Sequence, residues 1–112
     1  MKIEPILKIW IDKSNRLCIQ STETTFELIY RSAMGVQWNN EHLFMYSQIM
    51  GSWSPVDWFN QMLRAVEVEY GLCLFITEKT EWENIDESFK ELIEAESESH
   101  HAVRPTIYLL DI

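Results

Sequence analysis

The groups with which this chain could do chemistry are three histidines, two cysteines and a large excess of carboxylates. A histidine acting as a general base needs a nucleophile or a carboxylate within hydrogen-bond reach. His42 lies in "NNEHLF", at the edge of a turn, and no GxSxG accompanies it. His42 with a nearby carboxylate is the one catalytic arrangement on offer, and it ranks third among the functional readings. His100 and His101 stand in "ESHH" with Glu98. Adjacent side chains diverge on a strand and on a helix, whereas a two-histidine ligand set uses alternate strand positions or one helical turn. The pair is therefore read as a surface loop. The acidic segments lack the alternating Asp/Asn pattern and glycine of a calcium loop. Three glycines (Gly35, Gly51, Gly71) cannot build the usual phosphate-cradling loop. No catalytic or metal residue is assigned, and no cofactor is expected.

Cys18 and Cys73 both fall in strand-like apolar segments. A small disulfide scaffold uses more cysteines, and no CxxC is present, so two buried reduced thiols are expected. The chain has 112 residues, 46% hydrophobic and 24% charged, which is enough for one domain, residues 1–112, with a real core. No apolar run approaches the length that spans a bilayer, and "MKIEPILKIW" is interrupted by Glu4, Pro5 and Lys8. The chain is expected to be cytoplasmic.

The formal net charge is −9, and it is concentrated. Residues 67–98 hold eleven acids and two lysines, Lys79 and Lys90, while the rest of the chain is balanced. The bases are scattered singly, which argues against nucleic acid and against an anionic membrane as partners. Such a field favours a basic protein surface, with a solvated face that only keeps the protein soluble as the simpler alternative.

Five tryptophans, Trp10, Trp38, Trp53, Trp58 and Trp82, are many for this length. Tryptophan suits both cores and binding surfaces. Trp53 and Trp82 are placed in loops, where ordered aromatics can line a pocket or an interface.

The elements that must position these groups are legible in part. "ILKIWID" and "RLCIQST" alternate and flank the turn "DKSN", where Asn15 can turn left-handed; they predict a β-hairpin. Leu7, Ile9 and Ile11 share one face of its first strand, and Ile6, Lys8 and Trp10 the other. Residues 24–34 fork between a strand and a helix with Phe26, Ile29, Tyr30 and Ala33 inside, capped by Thr24; their β-branched and aromatic content tilts the choice to a strand. "VQWNNEHLFMYS" reads as two short strands about Asn39-Asn40. Residues 55–70 carry full helix punctuation, with Ser54 as N-cap, Pro55 in the first position and Gly71 as the left-handed cap. "LCLFIT" is a continuous apolar strand, expected to be central. Residues 85–97 form a second helix, with Asn84 and Glu87 as its start signal and Ile85, Phe89, Leu92 and Ile93 inside. "RPTIYLLDI" is a closing strand. The fold expected is α+β, a largely antiparallel sheet begun by N-terminal hairpins, with both helices packed on one face.

On the first helix, Phe59, Met62, Leu63, Val66 and Tyr70 make the core stripe. Trp58, Gln61, Ala65 and Val68 fall on a second stripe turned away from it by ideal geometry. The helix is read first as a core helix, and second as offering that flank to a homodimer or another partner. In size, charge and class the chain is similar to small acidic α+β proteins of bacterial mobile elements and of toxin–antitoxin or effector–immunity pairs, a likeness carried by no motif. The leading reading is a protein-interaction module that binds a basic partner, as an inhibitor or immunity protein does. Glu81, Glu83, Glu87, Glu91 and Glu94 would steer the encounter, with Trp82 as anchor. The alternative is a small-ligand pocket lined by Trp53, Trp58 and Trp82.

Overall fold

A computed structural model describes residues 2–102. Among them the chain runs β1 (Lys2–Ile11), β2 (Leu17–Ser21), a 3₁₀ turn (Ile29–Arg31), β3 (Gln37–Asn39), β4 (Phe44–Tyr46), α1 (Pro55–Tyr70), β5 (Leu72–Phe75), β6 (Glu81–Glu83) and α2 (Glu87–Ala102). The fold is α+β, a mixed sheet of six strands in the order β3-β4-β2-β1-β5, with β6 also on β1. The first four strands pair antiparallel, as expected, while β5 and β6 both run parallel to β1. The closing strand expected over 104–112 lies outside the described residues.

The β1–β2 hairpin is closed by Asp12, whose carboxylate accepts from the Ser14 and Arg16 N–H groups and from Arg16 Nε at 2.9 Å. Asn15 sits at φ 62°, the left-handed turn the sequence predicts. β1 departs from the strict alternation that puts Leu7, Ile9 and Ile11 on one face. The pairing slips between Ile6 and Lys8, so Leu7 is the extra residue of a β-bulge. A bulge reverses the inside–outside parity along a strand. Ile6 and Ile9 are therefore both buried and Leu7 is exposed. Bent there, β1 offers residues 2–5 to β5 and residues 8–10 to β6. Buried Thr80 links the two halves by donating its hydroxyl to the Ile6 carbonyl at 2.7 Å.

The strand expected over 24–34 is not formed. The segment is a run of turns around the 3₁₀ turn, with Phe26, Ile29 and Ala33 buried and Tyr30 exposed. Helical spacing describes three of its four apolar positions better than strand alternation does. What fixes the segment is not local. Glu4, on β1 and buried, accepts from the Glu23 and Thr24 N–H groups and from the Thr24 hydroxyl. Thr24 is thus committed to Glu4 and caps no helix. The Leu28 N–H donates to the Tyr70 hydroxyl of α1 at 2.8 Å, and Phe26 packs edge-on to the Tyr70 ring. β3 and β4 form as expected, but their turn is wider. Asn39 Oδ1 accepts from the N–H groups of Glu41 and His42, and it is Leu43 that takes positive φ.

α1 matches its punctuation. Ser54 and Asp57 exchange hydrogen bonds in a capping box, and Gly71 closes the helix at φ 62°. Phe59, Met62, Leu63 and Val66 join Ile9, Ile19, Met45, Leu74 and Ile93 in one core. α2 starts at Asp86 rather than Asn84: Asp86 Oδ1 accepts from the Phe89 N–H, whereas Asn84 adopts φ 56° outside the helix. The Phe89 N–H and the Ser88 hydroxyl hold the Asp86 carboxyl below its ordinary range. The helix runs on to Ala102, through the stretch expected as a loop. Glutamate, serine and alanine are compatible with helix, and the first breaker is Pro105. Its inner positions are Phe89, Ile93 and Ser97, one turn apart; Leu92, expected inside, is exposed.

Candidate functional site

The second stripe of α1 is where the structure departs most from the sequence. Trp58 and Ala65 are buried, and of that stripe Val68 alone is strongly exposed, at 73%. The segment that failed to form a strand covers them. Ser32 Oγ donates to Glu69 on the same flank of α1, and Arg31 Nε lies 3.6 Å from that carboxylate. Trp53 completes the cover, its ring centroid 4.7 Å from that of Trp58. The opposite flank is taken by α2, where Asn60 donates to Glu96 at 3.2 Å.

Trp53 and Trp58 line an open groove of about 410 Å³ with Met34, Gln48, Ile49 and Gln61. Met34 is 88% exposed, Ile49 66% and Trp53 44%. The indole N–H of Trp58 has no acceptor among the described residues. Trp82 is not part of this groove. It stands on β6 rather than in a loop, opposite Ile9 of β1, with Lys90 Nζ 5.6 Å from its ring. A three-residue strand, one tryptophan between two glutamates, is too short for a period to be read, and only its parallel partner defines it.

Glu83, Glu87 and Glu91 are all exposed. Glu83 is paired with Lys8 at 3.2 Å across β6 and β1. Glu87 and Glu91 make no ion pair among the described residues. With Glu94 and Glu98 they fall at i, i+4, i+7 and i+11 of α2, which is one stripe of like charge along the helix. Like charges at these spacings oppose helix formation by about 0.2–0.5 kcal/mol per pair.

A further surface escaped the sequence reading. On the sheet face away from the helices, Trp10 meets Phe44 edge-on at 4.8 Å and Phe44 meets Tyr46 at 5.9 Å. Lys8 lies over Trp10, and Arg16 lies over Tyr46 at 4.8 Å. The signal was present: these residues alternate with the buried Ile9 and Met45. Beneath them is Cys18, whose thiol burial pushes up to about 12. Both cysteines are buried and neither is in a disulfide. Native protein is expected to resist iodoacetamide at mildly alkaline pH, and denatured protein to take two adducts by mass spectrometry. Rapid modification of the folded chain would contradict this packing. His42 is exposed, 3.9 Å from the more exposed Glu41. No cluster that could hold a metal occurs among the described residues.

No helix among the described residues is long and apolar enough to cross a membrane. A family model described as Integron Cassette Protein Hfx_Cass5 matches residues 4–80. A solved structure described as "Structure from the mobile metagenome of North West Arm Sewage Outfall: Integron Cassette Protein Hfx_Cass5" is 30% identical, over 85% of this chain and 95% of that one, with a TM-score of 0.44. No curated protein matches.

Proposed function

We propose, from the premise that this chain belongs to the Hfx_Cass5 family of integron cassette proteins, that it is a protein-interaction module binding a basic partner, in the manner of an inhibitor or immunity protein. The observation that carries this is the glutamate stripe of α2. Glu87, Glu91, Glu94 and Glu98 repel one another along one helix, and no cation of the described chain pairs with them. A surface that opposes its own folding and faces outward is relieved by a cationic partner. Two buried cysteines with no disulfide fit a reducing compartment, the cytoplasm.

This makes Glu91→Lys a two-sided test. In the isolated protein, the introduced ammonium would lie one turn after Glu87 in the favourable orientation and beside Glu94, so stability is expected to rise by about 0.5–1 kcal/mol. Capture from lysate of the native source is expected to retain a basic protein at low salt and to release it as salt rises. With Glu87→Lys/Glu91→Lys that retention is expected to fall at least about tenfold. Equal capture by the wild type and the double variant would end this reading.

The Trp53–Trp58 groove, rimmed by exposed Met34 and Ile49, favours a second reading, a small apolar ligand. Such binding is expected to be insensitive to salt and to quench tryptophan fluorescence.

A further inference from the structure

Three sides of α1 are covered, by the sheet, by α2 and by the 31–34 segment with Trp53. The fourth side carries Asp57, Gln61, Arg64 and Val68, with Trp53 at its N-terminal end. Asp57 and Arg64 are exposed, and neither has an ion pair among the described residues. Asp57 uses Oδ2 for the cap of α1, which leaves Oδ1 available. A shallow groove of about 320 Å³ lies along this side, lined by Trp53, Asp57, Asn60, Gln61 and Arg64.

We infer that this face binds a second copy of the chain, with the two α1 helices antiparallel about a twofold axis. The argument is self-complementarity. In an antiparallel pair, the register that sets Asp57 opposite Arg64 of the other copy also sets Trp53 opposite Val68, because both pairs share one midpoint, between Asn60 and Gln61. One register thus makes two Asp–Arg pairs and two apolar contacts, and it brings Gln61 of each copy beside the axis. A twofold contact uses the same patch on both copies, so each such pair occurs twice. The Val68 side chain, which has no cover among the described residues, would sit on the exposed Trp53 ring. The acidic stripe of α2 lies on another helix and takes no part, so this inference stands apart from the proposed function.

Sedimentation velocity over about 1–200 μM, the affinity range of small interfaces, tests it. The wild type is expected to shift from monomer to dimer with concentration. Arg64→Asp sets two carboxylates against each other at both ends and is expected to weaken the dimer at least about tenfold. Asp57→Arg does the same with two cations, and an equimolar mixture of the two variants is expected to restore a heterodimer. Asp57→Arg also removes a capping contact, so a second variant avoids that position. Gln61→Cys, beside the axis, is expected to cross-link to itself on oxidation, since Cys18 and Cys73 are buried, whereas Glu87→Cys is not. A wild type that stays monomeric throughout, a dimer indifferent to Arg64→Asp, or no preference for Gln61→Cys over Glu87→Cys would each overturn the inference.

Discussion

Alanine in place of Glu4 is expected to lower the unfolding free energy by about 3 kcal/mol at neutral pH, the scale set by hydrogen bonds to a charged group. Glu4 is buried on β1, and its carboxylate holds three donors of the 23–24 segment. A hydrogen bond to a charged group contributes about 1.5–3 kcal/mol, and the three do not sum in full, because Glu23 is exposed and Thr24 half-buried, so water reaches donors left without the carboxylate. The damage spreads, because the same segment leads into Phe26, Ile29 and Ala33, which close the core beside α1. The pH dependence has a definite sign. Burial alone would raise the Glu4 carboxyl, but the Thr24 hydroxyl and the Thr24 and Glu23 N–H groups outweigh it and hold the group below its ordinary value. A carboxyl depressed in the folded state stabilises fully above its unfolded value and loses that contribution as pH falls through the folded one. Urea titrations of the wild type and of Glu4→Gln are therefore expected to differ most at neutral pH and to converge in acid. A gap that stays constant from neutral pH into acid would show that ionisation of Glu4 plays no part.

Trp58→Ala is the second large effect, with an expected loss of about 3–5 kcal/mol, the usual range for emptying an aromatic core site. Trp53→Ala is expected to cost less than about 1 kcal/mol, since its ring is partly exposed in the loop before α1. The two tryptophans touch and line one groove, yet they answer to different forces: Trp58 is a wall of the core, Trp53 a lid on its edge. Trp58→Phe separates packing from polarity. It keeps most of the apolar volume and removes an indole N–H that lacks an acceptor among the described residues, so its cost is expected to stay below about 1.5 kcal/mol. Thermal or urea unfolding of the three variants checks the order. If Trp58→Ala proved as mild as Trp53→Ala, Trp58 would belong to the surface after all. Ligand tests at the groove are best made with Trp53 variants, which leave the fold intact.

The outcomes at α1 show where sequence stops. Its start, its end and its main core stripe were legible, because a cap, a first-turn proline, a left-handed glycine and a helical apolar period are local requirements. The left-handed Asn15 turn, the β1–β2 hairpin and the acidity of 67–98 were legible for the same reason. Glu87 and Glu91 remain exposed as the sequence implies, and the one lysine of their helix, Lys90, lies over the Trp82 ring instead of pairing with them.

What the tertiary structure decided was which surfaces are left over. An ideal wheel gives angles around a helix axis, but not the width of the arc that other segments cover. Trp58 and Ala65 fell outside the stripe drawn for one sheet, and they are buried because a second segment, 29–34, packs beside them. That segment could not be placed locally, since its anchors are Glu4, twenty residues before Thr24, and Tyr70, forty-two residues after Leu28. The bulge at Leu7 and the short strand β6 have the same origin: each exists only because β1 finds two parallel partners along one edge. Local rules fixed where the chain turns and how it caps. The non-local hydrogen bonds of Glu4, Thr80 and Tyr70 fixed which residues face water.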